Sequence, residues 1–394
     1  MTLTHLAAAI GLISVPALAT ASDPGFDRSA WKADFERVKV GLAQGYANLD
    51  WQVDRRTFNL ARADAQIGAM LDKAQSDVEA ALVFAKLIDA FDDPHLQLQV
   101  GPPPSSAGLL PRQSNADGPT EARPKCGEAH YADGKAATRL PYVKAAGWKP
   151  LSDGPFVAGQ IGDIGIVRIP AFGEDRYLSA CKIVAKPGMD SRALQLATRA
   201  ELNRQLTTLI GTLRQRGVRK LVVDVSGNGG GSEWSSEVAA MFASGTLKRQ
   251  APRRVGPACD RSAVWKGERP CPIYAGSAET ETMAGTGTWT GPLAILTDRR
   301  SASATEEFVT WLKDNGRAMI AGERTFGAGC GYIDGGSAIA LKAANLHIMM
   351  PNCSRYTGAG INEIEGIAPD ITVDWSTVTP DEMPGLLAGL FDRR

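Results

Sequence analysis

The sequence predicts an α/β protein with a small helical domain toward its N-terminal end. Two patterns carry that expectation. Between Phe26 and about Asp93, apolar residues recur at three- and four-residue intervals, the period of amphipathic helices. From Gly159 onward, short apolar runs alternate with helical stretches, the order of a sheet covered by helices.

Trp31, Phe35, Val38, Leu42 and Tyr46 mark the first helix. Leu60 to Leu71 and Val78 to Phe91 repeat the pattern, with Ser76 and Asp77 at a helix N-terminus, so three helices are expected. Alternation over Leu96-Gln97-Leu98-Gln99-Val100 then marks a strand directly after His95. Residues 101–155 are rich in Pro, Gly and Ser at their start, weakly periodic afterwards, and read as linker and loop. Ile164 to Ile169 is a strand, Ser191 to Arg216 a long helix, and Lys220 to Val225 a buried-type strand. A helix from about Glu233 to Phe242 follows. Next come a strand over Pro292 to Leu296, the helix that carries Phe308, Val309 and Leu312, and a strand over Ala318 to Gly322. An antiparallel pair, Ser337 to Leu341 and Leu346 to Met350, precedes the tail. The expected divisions are residues 1–21 as signal peptide, 22–100 as the helical domain, 101–157 as loop-rich linker or cap, and 158–394 as the α/β core.

Lys plus Arg and Asp plus Glu both number 43, so no electrostatic footprint for nucleic acid or an anionic membrane is present. Leu6 to Ala19 is apolar but short for a membrane span. It leads into A-x-A sites, so cleavage after Ala19 or Ala21 is expected, with the mature chain periplasmic or secreted and without a membrane anchor. The 6 cysteines agree with export: they form no C-x-x-C pair and have no metal-type spacing. Sequential pairing is favoured, Cys126 with Cys181, Cys259 with Cys271 and Cys330 with Cys353, each bridge contributing about 2–4 kcal/mol.

Two junctions hold the candidate chemistry. Thr297-Asp298-Arg299-Arg300-Ser301-Ala302-Ser303-Ala304 joins a strand to a helix, where a serine would sit on a rigid corner beside unpartnered N–H groups. Ser301, Ser303 and Thr305 are equally suited to simple helix capping. Ser226-Gly227-Asn228-Gly229-Gly230-Gly231-Ser232 allows close approach of main chain to a ligand and lacks the lysine of a phosphate loop. Of the histidines beyond the signal segment, His347 lies inside a strand, His130 in the loop region, and His95 at a helix-to-strand junction behind Asp92-Asp93-Pro94.

Four segments together resemble the tricorn and C-terminal processing serine peptidase family. They are Leu221-Val222-Val223-Asp224 with its glycines, Ser301-Ala302-Ser303-Ala304-Thr305-Glu306, Gly322 to Gly329, and Gly366-Ile367-Ala368-Pro369-Asp370. The resemblance implies a crotonase-like spiral of strand–strand–helix units and a peptide or protein substrate, with no metal or cofactor. It implies Ser303 as nucleophile, with Ser301 the second choice. Ala328 stands where the processing peptidases carry a lysine, which excludes a Ser–Lys dyad through this position. The tricorn-like branch uses histidine and glutamate, and His95 and Glu363 match those places, Glu365 being the neighbour. The expected site is therefore Ser303, His95 and Glu363, with Gly229, Gly230 and Ala304 supplying oxyanion donors. A non-catalytic ligand- or peptide-binding protein of the same fold, and an esterase or amidase, are the alternatives. No peptide-tail-binding module is visible between His95 and the core.

Overall fold

The computed structural model describes residues 25–103, 126–134, 138–254, 261–268 and 279–392. The expected signal peptide, Cys259 and Cys271 lie outside these residues.

Four helices open the described chain: α1 (Arg28–Gly45), α2 (Leu49–Asp54), α3 (Leu60–Lys73) and α4 (Asp77–Asp89). α2 is one more than the sequence predicts; at 6 residues it is too short to show helical periodicity. The Asp27, Asn59 and Ser76 side chains cap α1, α3 and α4 by accepting backbone N–H groups that have no partner within the helix. Trp31, Phe35, Phe84 and Leu87 join a core that also takes in Trp265, Ile339, Leu341, Ile348 and Met350 from far along the chain. The N-terminal helices thus pack on an antiparallel sheet of order β1-β12-β11, made of β1 (Gln97–Val100), β11 (Ser337–Leu341) and β12 (Leu346–Met350). Gln97 lies opposite Met349 and Val100 opposite Leu346.

The main sheet has 7 strands in the order β14-β10-β9-β5-β4-β3-β2. These are β2 (Trp148–Ser152), β3 (Ala158–Ile161), β4 (Ile164–Arg168), β5 (Lys220–Asp224), β9 (Leu293–Thr297), β10 (Met319–Gly322) and β14 (Ile371–Thr372). β4, β5, β9, β10 and β14 run parallel, β3 is antiparallel to β4, and β2 is antiparallel to β3. β2 lies within residues 101–157, the stretch expected to be a loop-rich linker or cap. It holds Pro150 and sits at the sheet edge, where a missing N–H is tolerated. Helices cover both faces, so the central strands read as continuous apolar runs. On one face Val167, Leu221, Val223 and Ile295 pack against α6 (Ser191–Gln215), α7 (Trp234–Met241) and α8 (Ala304–Asp314). On the other, Ile166, Val222, Ala294 and Leu296 meet Tyr142 and the C-terminal helix α9 (Met383–Gly389). The short helix α5 (Leu178–Val184) carries Cys181.

The remaining strands form two small ribbons, β6 (Thr246–Gln250) with β8 (Thr280–Ala284) and β7 (Arg253–Arg254) with β13 (Cys353–Ser354). Disulfides join Cys126 to Cys181 and Cys330 to Cys353, as expected. Among the described residues no helix is long and apolar enough to cross a membrane.

Candidate active site

The adjacent parallel strands β5, β9 and β10 end on one side of the sheet, and the loops that leave them build the site. A parallel sheet places its ligands at these carboxyl ends. The β5 loop is held first. Asp224 is buried and accepts hydrogen bonds from Tyr142 Oη (2.8 Å), Arg168 Nη1 (3.0 Å) and Ser226 Oγ (2.6 Å). Asp298, at the end of β9, accepts from the Gly227 N–H at 2.7 Å and so ties the β5 loop to the β9 loop. Ala302 N–H and Thr305 Oγ1 donate to the Asn228 carbonyl, a second tie between the same loops.

Ser303 sits directly before α8 with φ 59° and ψ −117°, a backbone conformation costly for a residue with a side chain. Glu306 stabilises it. The buried Glu306 carboxylate accepts from Ser303 N–H (2.9 Å) and from three consecutive N–H groups of the β10 loop, Gly327 (2.7 Å), Ala328 (3.0 Å) and Gly329 (2.9 Å). Thr325 Oγ1 donates to it as well, at 2.6 Å. Burial pushes this carboxyl above the usual range, and the donors from Thr325, Gly329 and Gly327 act against that push. Ser301, the second candidate, is fully buried and donates to the Val225 carbonyl at 2.9 Å, which gives it a structural role.

His95 arrives from the turn between α4 and β1. Its N–H donates to Asp93, whose buried carboxylate is fixed by Tyr46 Oη (2.8 Å) and Asn48 Nδ2 (3.0 Å). His95 Nε2 lies 3.1 Å from Ser303 Oγ, and Nδ1 lies 3.0 Å from the Ala328 carbonyl. A carbonyl oxygen only accepts, so Nδ1 must carry the proton and Nε2 is left as the acceptor facing the serine hydroxyl. The Tyr332 ring packs edge-on to the imidazole at 5.5 Å, and its hydroxyl donates to the His95 carbonyl. Gly331 completes the pocket, for a Cβ there would stand 2.8 Å from His95 Nε2.

Burial lowers the His95 pKa below the ordinary 6.5, and Arg355 adds to this, while Asp93 and the Ala328 carbonyl act in the opposite direction. The imidazole is therefore neutral at neutral pH. Protonation as pH falls would block transfer from Ser303, so the rate of Ser303 acylation should decline on an acid limb centred below 6.5. A pH profile of that rate checks this, and a midpoint above 6.5 would contradict it.

Glu363 stands elsewhere than expected. Its buried carboxylate accepts from Arg355 Nε (2.7 Å) and Thr310 Oγ1 (2.7 Å), and the Ala328 carbonyl takes the place at Nδ1 where sequence reasoning put a carboxylate. Glu365 accepts from the Trp51 indole at 3.0 Å. The glycine loop also divides its expected roles. The Gly230 N–H donates to Asn228 Oδ1 at 2.9 Å and is engaged, whereas the N–H groups of Gly229 and Ala304 have no partner among the described residues. A cleft of about 410 Å³ opens beside Gly229, lined also by Pro170, Gly173, Arg176 and Gly231. His347 is buried with Nδ1 against the Gly101 carbonyl, and His130 is exposed. Among the described residues no group of His, Cys, Asp and Glu could hold a metal ion.

Residues 163–373, more than half of the chain, match the sequence pattern of peptidase family S41. The chain belongs to that family. Two curated relatives match part of the chain. The chloroplastic C-terminal processing peptidase of Tetradesmus obliquus is 30% identical over 178 residues, 44% of this chain and 32% of that protein. Carboxyl-terminal-processing peptidase 3 of Arabidopsis thaliana, also chloroplastic, is 37% identical over 86 residues, 20% of this chain and 15% of that protein. The chain thus spans about a third or less of the length of these relatives. The structure of mature CPAF complexed with lactacystin superposes with a TM-score of 0.62 at 13% identity, covering 93% of this chain and 99% of that one. At that identity the likeness is one of fold.

Proposed function

We propose that this S41 member is an exported serine endopeptidase acting on peptides or proteins through Ser303 and His95. The observation that carries the reading is the 3.1 Å approach of an unprotonated Nε2 to Ser303 Oγ. Ser303 attacks the substrate carbonyl as His95 takes its proton, and the imidazolium then protonates the leaving amine. The Gly229 and Ala304 N–H groups receive the oxyanion, each such donor lowering the barrier by about 2.7–4 kcal/mol. Asp93, the charged group that favours the imidazolium, and the Ala328 carbonyl divide the work that a single carboxylate does in a direct triad. Glu363, the expected third member, enters as a buried negative charge behind Arg355. In the same reading the sheet and its helices form a crotonase-like spiral core, and residues before β1 form an N-terminal domain that delivers the histidine. The leader is removed after Ala19 or Ala21, leaving a periplasmic or secreted enzyme.

The close pairing of Ser303 and His95 tells against a purely ligand-binding role. A fluorophosphonate probe tests the reading: mass spectrometry should find the adduct on Ser303, absent in Ser303→Ala and strongly slowed in His95→Ala. An adduct on another residue, or none at all, would sink it.

A further inference from the structure

The two halves of the candidate pair ride on different loops. Ser303 follows β9, and Ala328, which orients His95, follows β10. Besides Glu306, a second buried side chain touches both. Arg355 Nη2 donates to the Ser303 carbonyl at 2.8 Å and to the Gly329 carbonyl at 3.0 Å. The same guanidinium reaches Glu363 through Nε at 2.7 Å and Glu307 through Nη1 at 3.2 Å. Gly329 is the residue directly after Ala328, so a shift of its carbonyl moves the acceptor of His95 Nδ1. Ser303 is left-handed at φ, and its two peptide groups are held by two buried charged side chains, N–H by Glu306 and carbonyl by Arg355. The Cys330–Cys353 disulfide joins the same two segments one residue beyond Gly329 and two before Arg355.

We propose that Arg355 is a positioning residue that brackets the nucleophile turn to the histidine-orienting loop, and that Glu363 serves the reaction as the counter-ion of Arg355. This rests on the reading of Ser303 and His95 as the reacting pair. A planar fork with several donors can hold two carbonyls and two carboxylates at fixed mutual angles, which an ammonium cannot. A misplacement of about 1 Å at a reacting pair can cost on the order of 10²-fold in rate.

Three variants test this, Arg355→Lys, Arg355→Met and Glu363→Gln, with Arg355→Met/Glu363→Gln combined. The readouts are the rate of Ser303 modification by fluorophosphonate, the NMR titration of the His95 imidazole, and the melting temperature. The charged and titratable groups facing that imidazole are Asp93 from its own turn, Arg355 from the segment after β13, and Tyr332 and Ser303 from the β10 and β9 loops. Arg355→Lys keeps the positive charge but loses the fork, so the rate should fall on the order of 10²-fold with the His95 titration nearly unmoved. Arg355→Met should lose a similar factor, and its His95 titration should move to higher pH because the neighbouring cation is gone. A merely structural role predicts a lower melting temperature while the folded protein, assayed well below it, keeps the parental rate. If Glu363 acts only through Arg355, the combined variant should lose no more rate than Arg355→Met alone.

A folded Arg355→Lys protein reacting within about threefold of the parent would overturn the bracket. Multiplicative losses in the combined variant would return Glu363 to an independent role. Should Arg355→Met not fold, Arg355→Lys and Glu363→Gln decide. A parent whose Ser303 takes no probe would refute the serine-nucleophile reading, whereas a reactive parent with an equally reactive Arg355→Lys would refute the bracket alone.

Discussion

Replacing His95 with alanine should lower kcat/KM toward a peptide substrate by about 10⁴–10⁶-fold. The size of the effect follows because, among the described residues, no other side chain hydrogen-bonds the Ser303 hydroxyl. Nε2 of His95 is the nitrogen acceptor placed at the Ser303 hydroxyl, and the nearby Ala328 is buried and has no proton-accepting group on its side chain. An unassisted serine hydroxyl is a poor nucleophile at neutral pH. Ser303→Ala should be equally damaging, and the two substitutions together no worse than either, since the groups act as a unit. Steady-state kinetics on a fluorogenic peptide checks both claims. Residual activity within about tenfold of the parent in His95→Ala would mean that another base takes the proton.

The second large effect comes from a residue with no side chain. Gly230 has φ +100°, and a Cβ there would stand 2.7 Å from the Ala302 carbonyl, 2.8 Å from the Ala304 nitrogen and 2.9 Å from Ser303 Cβ. The first two are main-chain atoms flanking the nucleophile, so they cannot rotate away. Gly230→Ala should therefore push the serine turn off the β5 loop and separate the Gly229 and Ala304 donors. Activity is expected to fall by about 10²–10³-fold, the loss typical of one missing oxyanion donor. Stability should fall by about 1–3 kcal/mol from the strained backbone and the contact. Thermal unfolding and kcat measured on the same preparation check this. A variant with parental kcat would show that Gly230 does not set the geometry of the serine turn.

Much of this arrangement was legible because its signals are local. Ser337–Leu341 alternates in burial as a strand does, and Leu221-Val222-Val223 in β5 form an apolar run because both faces of a parallel sheet are covered. Ser303 and His95, separated by 208 residues, were paired by motif and by the scarcity of histidines. What escaped has no local signature. The Ala328 carbonyl is a main-chain acceptor, identical in every residue, and only its position gives it a role. Arg355 and Glu363 differ from any surface arginine and glutamate solely in being buried together, which depends on the packing of distant segments. β6 and β8 carry Lys248, Arg249 and Glu281, whose charges mask a strand pattern that a paired ribbon accommodates.

The pairing of β1 with β12 also sets when the protein can first act. Gln97 finds Met349 across the ribbon, and the core beneath the first helices is closed by Ile339, Ile348 and Met350. A nascent chain on the ribosome has made its imidazole early and its hydroxyl late, but nothing brings the two face to face until the stretch that clasps them has emerged. Any reaction that needs both groups must therefore wait until β12 has been made and has paired with β1.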